Sequence, residues 1–200
     1  LTYTKRKGKC SMAEQYVAVS GSWLDAIGQF LSAIGYTLQL QEERDVNLRK
    51  VVIGEGLQAV GNALQAVVEE DPIARTGDWI EAGGAATTSL AVALQLEEEN
   101  IEYQRLEVLG DSLQSLGPAI SVTVEENKEI AVGLYLQSIG AAIEAIGGVK
   151  EIRGLDRLGL QLSAIGNWIQ ALGATIQAVV LTREMITSEY EEYPSHRNNE

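Results

Sequence analysis

Cysteine, histidine, proline and aromatic residues are all scarce in this chain, and each scarcity excludes something. One Cys in 200 residues rules out a disulfide framework and any cysteine-based zinc site. The single His, His196, leaves Ser-His or Cys-His nucleophilic catalysis without a base in the body of the chain. It also leaves a di-iron helical bundle without its Glu-x-x-His ligands. Three Pro and 20 Gly do not make a Pro-rich or collagen-like chain. Aromatics are 6%, with one Phe, so the core is expected to be aliphatic. Gly54-Glu55-Gly56 and Gly83-Gly84 follow no strand pattern, which excludes a P-loop or dinucleotide fingerprint. The acidic clusters lack the spacing of a calcium loop. The chain therefore reads as a non-enzyme, with no catalytic, cofactor-binding or metal-ligating residue to name and no cofactor expected.

What is present suits a folded domain. Apolar residues are 46% and charged residues 22%, enough to build a core and too little charge for disorder. A net charge of −13 argues against nucleic acid and anionic membrane surfaces as partners. Residues 1–11 differ from the rest, with Lys5, Arg6, Lys7 and Lys9 in one stretch. Met12-Ala13-Glu14 has the form of an ordinary protein start. Residues 1–11 are expected to be a disordered basic segment, either upstream of the native start or an arm for phosphate or anionic lipid. No apolar stretch follows them to make a secretory signal, and the expected compartment is the cytoplasm. Residues 12–188 are expected to form one helical repeat domain, and 189–200 a disordered tail.

One phrase recurs along the chain. Leu57-Gln58-Ala59-Val60-Gly61 returns as Leu136-Gln137-Ser138-Ile139-Gly140 and as Leu162-Ser163-Ala164-Ile165-Gly166. Large aliphatics three and four apart mark helices, and the alternation of a half-buried strand is absent. The fold class is all-α. Acidic punctuation at Glu42–Asp45, Glu69–Pro72, Glu97–Asn100 and Glu125–Asn127, with Gly147-Gly148 as a fifth junction, predicts six antiparallel helices. Their expected spans are 12–42, 46–69, 78–97, 101–124, 128–147 and 151–188. They form either an up-and-down bundle or a layered array of hairpins. A continuous helix through 97–102 is an alternative. Ser11 with Glu14 has the form of a capping box, and Asp71, Asn100 and Asn127 are candidate caps.

In heptad register, 14 glycines share position e: 21, 28, 35, 54, 61, 84, 110, 117, 133, 140, 147, 159, 166 and 173. Glycine in a helix costs about 1 kcal/mol relative to alanine. A shared phase implies a return, namely close approach of a neighbouring backbone. Alanines such as Ala33, Ala66 and Ala171 fall at c, which predicts two flanks, a glycine edge and an alanine edge, each against a different neighbour. Large aliphatics at a and d are expected inside. Gln58, Asn62, Gln65, Gln137, Gln161, Asn167, Gln170 and Gln177, assigned to b and f, are expected to face water, as is Pro118, with a kink there. Trp23, Trp79 and Trp168 share position g, sealing helix flanks or forming a stacking cluster.

The uncharged run 158–182 is long enough to cross a bilayer, but its amides and the charges at Asp25, Glu55, Asp111 and Glu144 favour a soluble bundle. In the alternative, the amide stripe lines a pore and the aliphatics face lipid. The repeated Val60-Gly61-Asn62-Ala63-Leu64-Gln65-Ala66 and Ile165-Gly166-Asn167-Trp168-Ile169-Gln170-Ala171 phrases resemble uncharacterised repetitive helical proteins of spore-forming Gram-positive bacteria. That resemblance carries no activity and no site residues. The expected function is a structural or interaction protein, acting by surface presentation or self-assembly, with a protein or a second copy as partner. A membrane-active, pore-forming or toxin-like helical protein is the alternative. A small-molecule carrier would need a cavity, and glycine seams argue for dense packing instead.

Overall fold

Helix starts are set by side chains that satisfy the first free N–H groups. Ser11 Oγ accepts from the Glu14 N–H at 3.3 Å, and the Ser11 N–H donates to Glu14 Oε2 at 2.7 Å. Asp71 caps Ile73 N–H at 2.8 Å ahead of Pro72, and Asn100 and Asn127 cap Glu102 and Glu129 at 2.9 Å each. The computed structural model describes residues 11–192. Its six helices are α1 (Met12–Gln41), α2 (Asp45–Val68), α3 (Pro72–Gln95), α4 (Ile101–Ser121), α5 (Lys128–Ile152) and α6 (Asp156–Glu192). The basic segment at 1–10, the end of the expected tail at 193–200 and His196 within it lie outside the described residues.

Several boundaries differ from expectation, each for a local reason. α3 begins at Pro72 rather than residue 78, because the Asp71 cap and the fixed φ of proline start the helix there. α5 runs through Gly147-Gly148 to Ile152. The fifth turn instead falls at Arg153–Leu155, where Gly154 takes φ +75°, the left-handed conformation that glycine tolerates. The chain leaves helix between Gln95 and Ile101, so no helix continues through 97–102. α6 continues to Glu192, past residue 188. Pro118 is buried rather than exposed, and α4 runs through it to Ser121.

Each helix packs on two neighbours. α1–α2, α3–α4 and α5–α6 form hairpins, α2–α3 and α4–α5 join them, and α6 returns to α1. The fold is a closed up-and-down ring of six helices. Within each hairpin the glycines meet in pairs. A Cβ on Gly28 would lie 2.5 Å from the Gly54 carbonyl oxygen, and one on Gly84 2.7 Å from that of Gly110. One on Gly140 would lie 2.6 Å from the Gly166 oxygen. Thirteen of the 14 phased glycines meet a partner glycine this way, Gly117 against Gly77, while Gly35 is pressed against Val51 and the Asn47 carbonyl. The opposite flanks carry buried alanines, including Ala33, Ala66 and Ala171.

The radial direction of the helices reverses the expectation. The buried arc is e, b, f and c, with the amides at its centre: Gln58, Gln137, Asn167 and Gln170 are at most 1% exposed. Asn62 and Gln177 are also buried. Gln161, at the start of α6, is exposed instead. The large aliphatics at d form ridges on the outside: Val60 is 53% exposed, Ile139 53% and Leu172 55%. The interior is therefore polar and small-residue rather than aliphatic. Among the described residues an apolar cluster forms from Tyr36, Val51, Val92 and Ala164, toward the end that carries the 42–44, 96–100 and 153–155 turns.

Candidate functional site: a polar axis in an apolar ring

The three hairpins repeat with a 56-residue period, and the axis shows it residue by residue. In the first, Ser32 Oγ and Gln58 Nε2 each donate to Glu55 Oε1 at 2.8 Å. In the second, 56 residues on, Thr88 Oγ1 donates to Asp111 Oδ1 at 2.9 Å, and Gln114 Nε2 donates to Thr88 Oγ1 at 3.2 Å. In the third, Asn167 and Gln170 both donate to the Glu144 carboxylate. Each hairpin thus contributes one acid and one glutamine to the same level. In the third, the acid moves from the second helix of the pair to the first and Asn167 takes its place. Gln114 Nε2 also donates to Glu55 Oε2 at 3.1 Å, tying the second hairpin to the first across the axis.

A second level uses positions that are likewise 56 residues apart, Asp25, Glu81 and Gln137. With its amide turned so that nitrogen faces the acids, Gln137 donates to Asp25 Oδ2 at 3.2 Å and Glu81 Oε1 at 3.0 Å. Between the levels Gln29 Nε2 donates to Gln170 Oε1 at 3.4 Å. Toward the ends, Tyr36 and Gln95 donate to Glu107 at 2.7 and 2.6 Å, and Ser121 donates to Asp78 at 3.2 Å.

Donors run short along this axis. Five buried oxygens accept no hydrogen bond: Asp25 Oδ1, Gln29 Oε1, Gln58 Oε1, Gln114 Oε1 and Asn167 Oδ1. Among the described residues only one buried side-chain nitrogen, Asn62 Nδ2, lacks an acceptor. No Lys or Arg relieves the imbalance, because every basic residue in 11–192 sits near a helix end: Arg44, Arg49, Lys50, Arg105, Lys150, Arg153 and Arg157 at one rim, and Arg75, Lys128 and Arg183 at the other. Among the described residues no group of three or more His, Cys, Asp or Glu is arranged to hold a metal ion.

The outside is the complement of the axis. Trp23, Trp79 and Trp168 all point outward, at 39–49% exposure, and do not form one stacking cluster. Trp23 and Trp79 share the 56-residue phase with Tyr135, one aromatic on each hairpin. Trp168 packs edge-on against Phe30 with ring centroids 5.9 Å apart. A groove of about 280 Å³ on the α1–α6 face is lined by Trp23, Val179, Thr182, Arg183, Ile186 and Thr187. It lies outside the ring and reaches none of the axial acids.

A protein-family profile, a family of unknown function designated DUF6944, matches residues 16–178. The chain belongs to this family. The matched stretch begins in α1 and ends in α6, so the DUF6944 region takes in both ring-closing helices and all three axial triads. No curated protein and no solved structure matches the chain.

Sequence reasoning named no site: Asp25, Glu55, Asp111 and Glu144 entered it as charges within apolar blocks, and Glu55, Glu81 and Glu144 as carboxylates without a distinctive context for paired acid-base chemistry. The missed signal is the 56-residue period, which superposes Ser32, Thr88 and Glu144, then Glu55, Asp111 and Asn167, then Gln58, Gln114 and Gln170. Gly28 and Gly54, Gly84 and Gly110, and Gly140 and Gly166, each pair 26 residues apart within one hairpin, recur at the same 56-residue period.

Proposed function

We propose that the chain is a non-enzymatic integral membrane protein whose ring of helices holds a polar axis across the bilayer. The observation that carries this reading is the inverted radial polarity: aliphatics every seventh residue outside, amides and carboxyls inside. In water, ridges such as Ile27–Ile34, Ile53–Val60–Val67 and Ile165–Leu172–Val179 would make an apolar belt far beyond what monomeric soluble proteins expose. In lipid the same belt is in its proper solvent, and helices leave no backbone group unsatisfied.

Dimensions agree. Four of the helices, α1, α2, α5 and α6, are long and apolar enough to cross a membrane. The 24 residues of α2 rise about 36 Å, against a hydrocarbon core of about 30 Å. Basic residues stay at the rims, and the outward Trp23, Trp79 and Tyr135 suit the boundary between chains and headgroups. Small residues at the helix seams match the way helices associate where lipid supplies no hydrophobic drive.

Flotation with liposomes after alkaline carbonate extraction tests the reading. The protein is expected to rise with the vesicles and to need detergent when purified. A detergent-free, monodisperse monomer that stays at the bottom of the gradient would overturn it. A detergent-free oligomer would overturn it in favour of a second reading, in which the same belt is buried against further copies of the chain.

A further inference from the structure

We propose that the axis carries protons: the carboxyls along it hold exchangeable hydrogens and pass them from one rim of the ring to the other. The inference rests on the membrane reading for its direction, and on hydrogen-bond bookkeeping for its chemistry.

The bookkeeping concerns the middle level. There the amide N–H groups of Gln58, Gln114, Asn167 and Gln170 are spent on Glu55, Thr88 and Glu144, while the amide oxygens of Gln58, Gln114 and Asn167 receive nothing. A buried acceptor without a donor is costly. These groups are sealed from bulk solvent: Gln29, Ser32, Gln58, Thr88 and Asn167 are at 0% exposure. Among the described residues every ammonium and guanidinium belongs to a residue near a rim. The remaining donor is the O–H of a protonated carboxyl, and each hairpin brings one acid to this level: Glu55, Asp111 and Glu144.

The acids also form a series along the axis. Asp78 and Glu81 are three apart on α3, and Glu107 and Asp111 four apart on α4, spacings that place each pair on one helix face. Hydrogen bonds link them: Gln137 bridges Asp25 and Glu81, and Gln114 bridges Glu55 to Thr88, which in turn donates to Asp111. Asp78 and Glu107 are only half buried, so both ends of the series approach a rim. Transfer is balanced at every step. One O–H bond breaks on the carboxyl that gives the proton, and one forms on the carboxylate or hydroxyl that takes it. The hydroxyl of Thr88, which already donates to Asp111, passes on one proton as it receives another. A hydronium ion is taken up at one rim and released at the other, with no change of oxidation state.

The test uses the full chain in phospholipid vesicles holding a pH-sensitive dye, with a potassium gradient and valinomycin to set the potential. The expected result is proton uptake above that of protein-free vesicles, without release of trapped carboxyfluorescein. Glu55→Gln and Asp111→Asn are each expected to slow it by about tenfold or more, whereas Glu102→Gln on the exposed rim leaves it unchanged. Infrared spectroscopy of the detergent-solubilised protein supplies a readout that needs no bilayer and no flux. It is expected to show the carbonyl stretch of protonated carboxylic acid at neutral pH, weaker in Glu55→Gln. Proton uptake no faster than background in vesicles that the protein has entered, uptake matched by dye leakage, unchanged rates in both variants, or absence of the acid band would each overturn the proposal. Failure to enter vesicles would overturn the membrane reading instead, and the infrared band would still decide whether the acids hold protons.

Discussion

The ring is closed by two kinds of seam, and they work differently. Inside each hairpin the seam is backbone on backbone. Gly28 meets Gly54 and Gly140 meets Gly166, where a Cβ would come within 2.5 to 2.6 Å of a carbonyl oxygen. Between hairpins the seam is made by side chains. Ser115 and Ser138 exchange hydroxyl bonds to each other's carbonyls at 2.9 Å across α4–α5, and Ser89 donates to the Val52 carbonyl at 2.8 Å across α2–α3. Across α6–α1, Trp168 and Trp23 donate to Thr37 and Thr182 at 3.1 and 3.0 Å. Glycine seams tolerate no added atom, whereas serine and tryptophan seams lose one bond at a time. The hairpin is therefore the stiff unit, and the joints between hairpins are where the ring gives.

The largest effect that would break this contrast is Gly166→Leu. A side chain there runs into the Gly140 carbonyl and the Glu144 backbone. Overpacking of that kind is expected to cost about 3 kcal/mol, read as a large drop in thermal midpoint in detergent; an unchanged midpoint would show that the hairpin seam is loose. Gly154→Ala comes next. Its φ of +75° strains any L side chain by about 1–2 kcal/mol, without a steric neighbour to blame. Ser115→Ala should cost less, about 1 kcal/mol as for one intramolecular hydrogen bond, and a loss as large as that of Gly166→Leu would erase the distinction. The smallest effect sharpens it within one pair of neighbours. Gly83 has nothing within 4 Å, while Gly84 beside it is pinned against Gly110 and Gln114. Gly83→Ala is expected to stabilise the helix by up to about 1 kcal/mol, and Gly84→Ala to destabilise it, in the same melting assay.

Much of this was legible in the residues. The all-α class, the number of helices, the glycine phase and the two flanks follow from periodicity, because heptad spacing fixes the angles between positions on one helix. It does not fix how the helix is rotated about its own axis. A ring with Gln58 and Gln170 inward and one with them outward share the same angular order, so the pattern alone could not choose. Asp25, Glu55, Asp111 and Glu144 carried the missing information. They occupy the same arc as the amides, and none has a Lys or Arg three or four residues away on its own helix, as exposed acids such as Glu102 with Arg105 do. Pro118 was misplaced for the same reason, since it shares position f with Asn62 and Asn167 and lies inside with them. Gln161, two residues after Gly159, falls at g, seven residues before Trp168, and is exposed as that position is.

The threefold repetition stops short of a threefold symmetry. Each 56-residue third owns one glycine edge filled by its own second helix, and two outer flanks whose joints to the other thirds differ: Ser89 at one, Ser115 with Ser138 at the next, and two Trp–Thr bonds at the last. The single chain ties the three thirds in a fixed order around one centre, and the last of them carries its acid, Glu144, on the first helix of its pair where the other two carry theirs on the second.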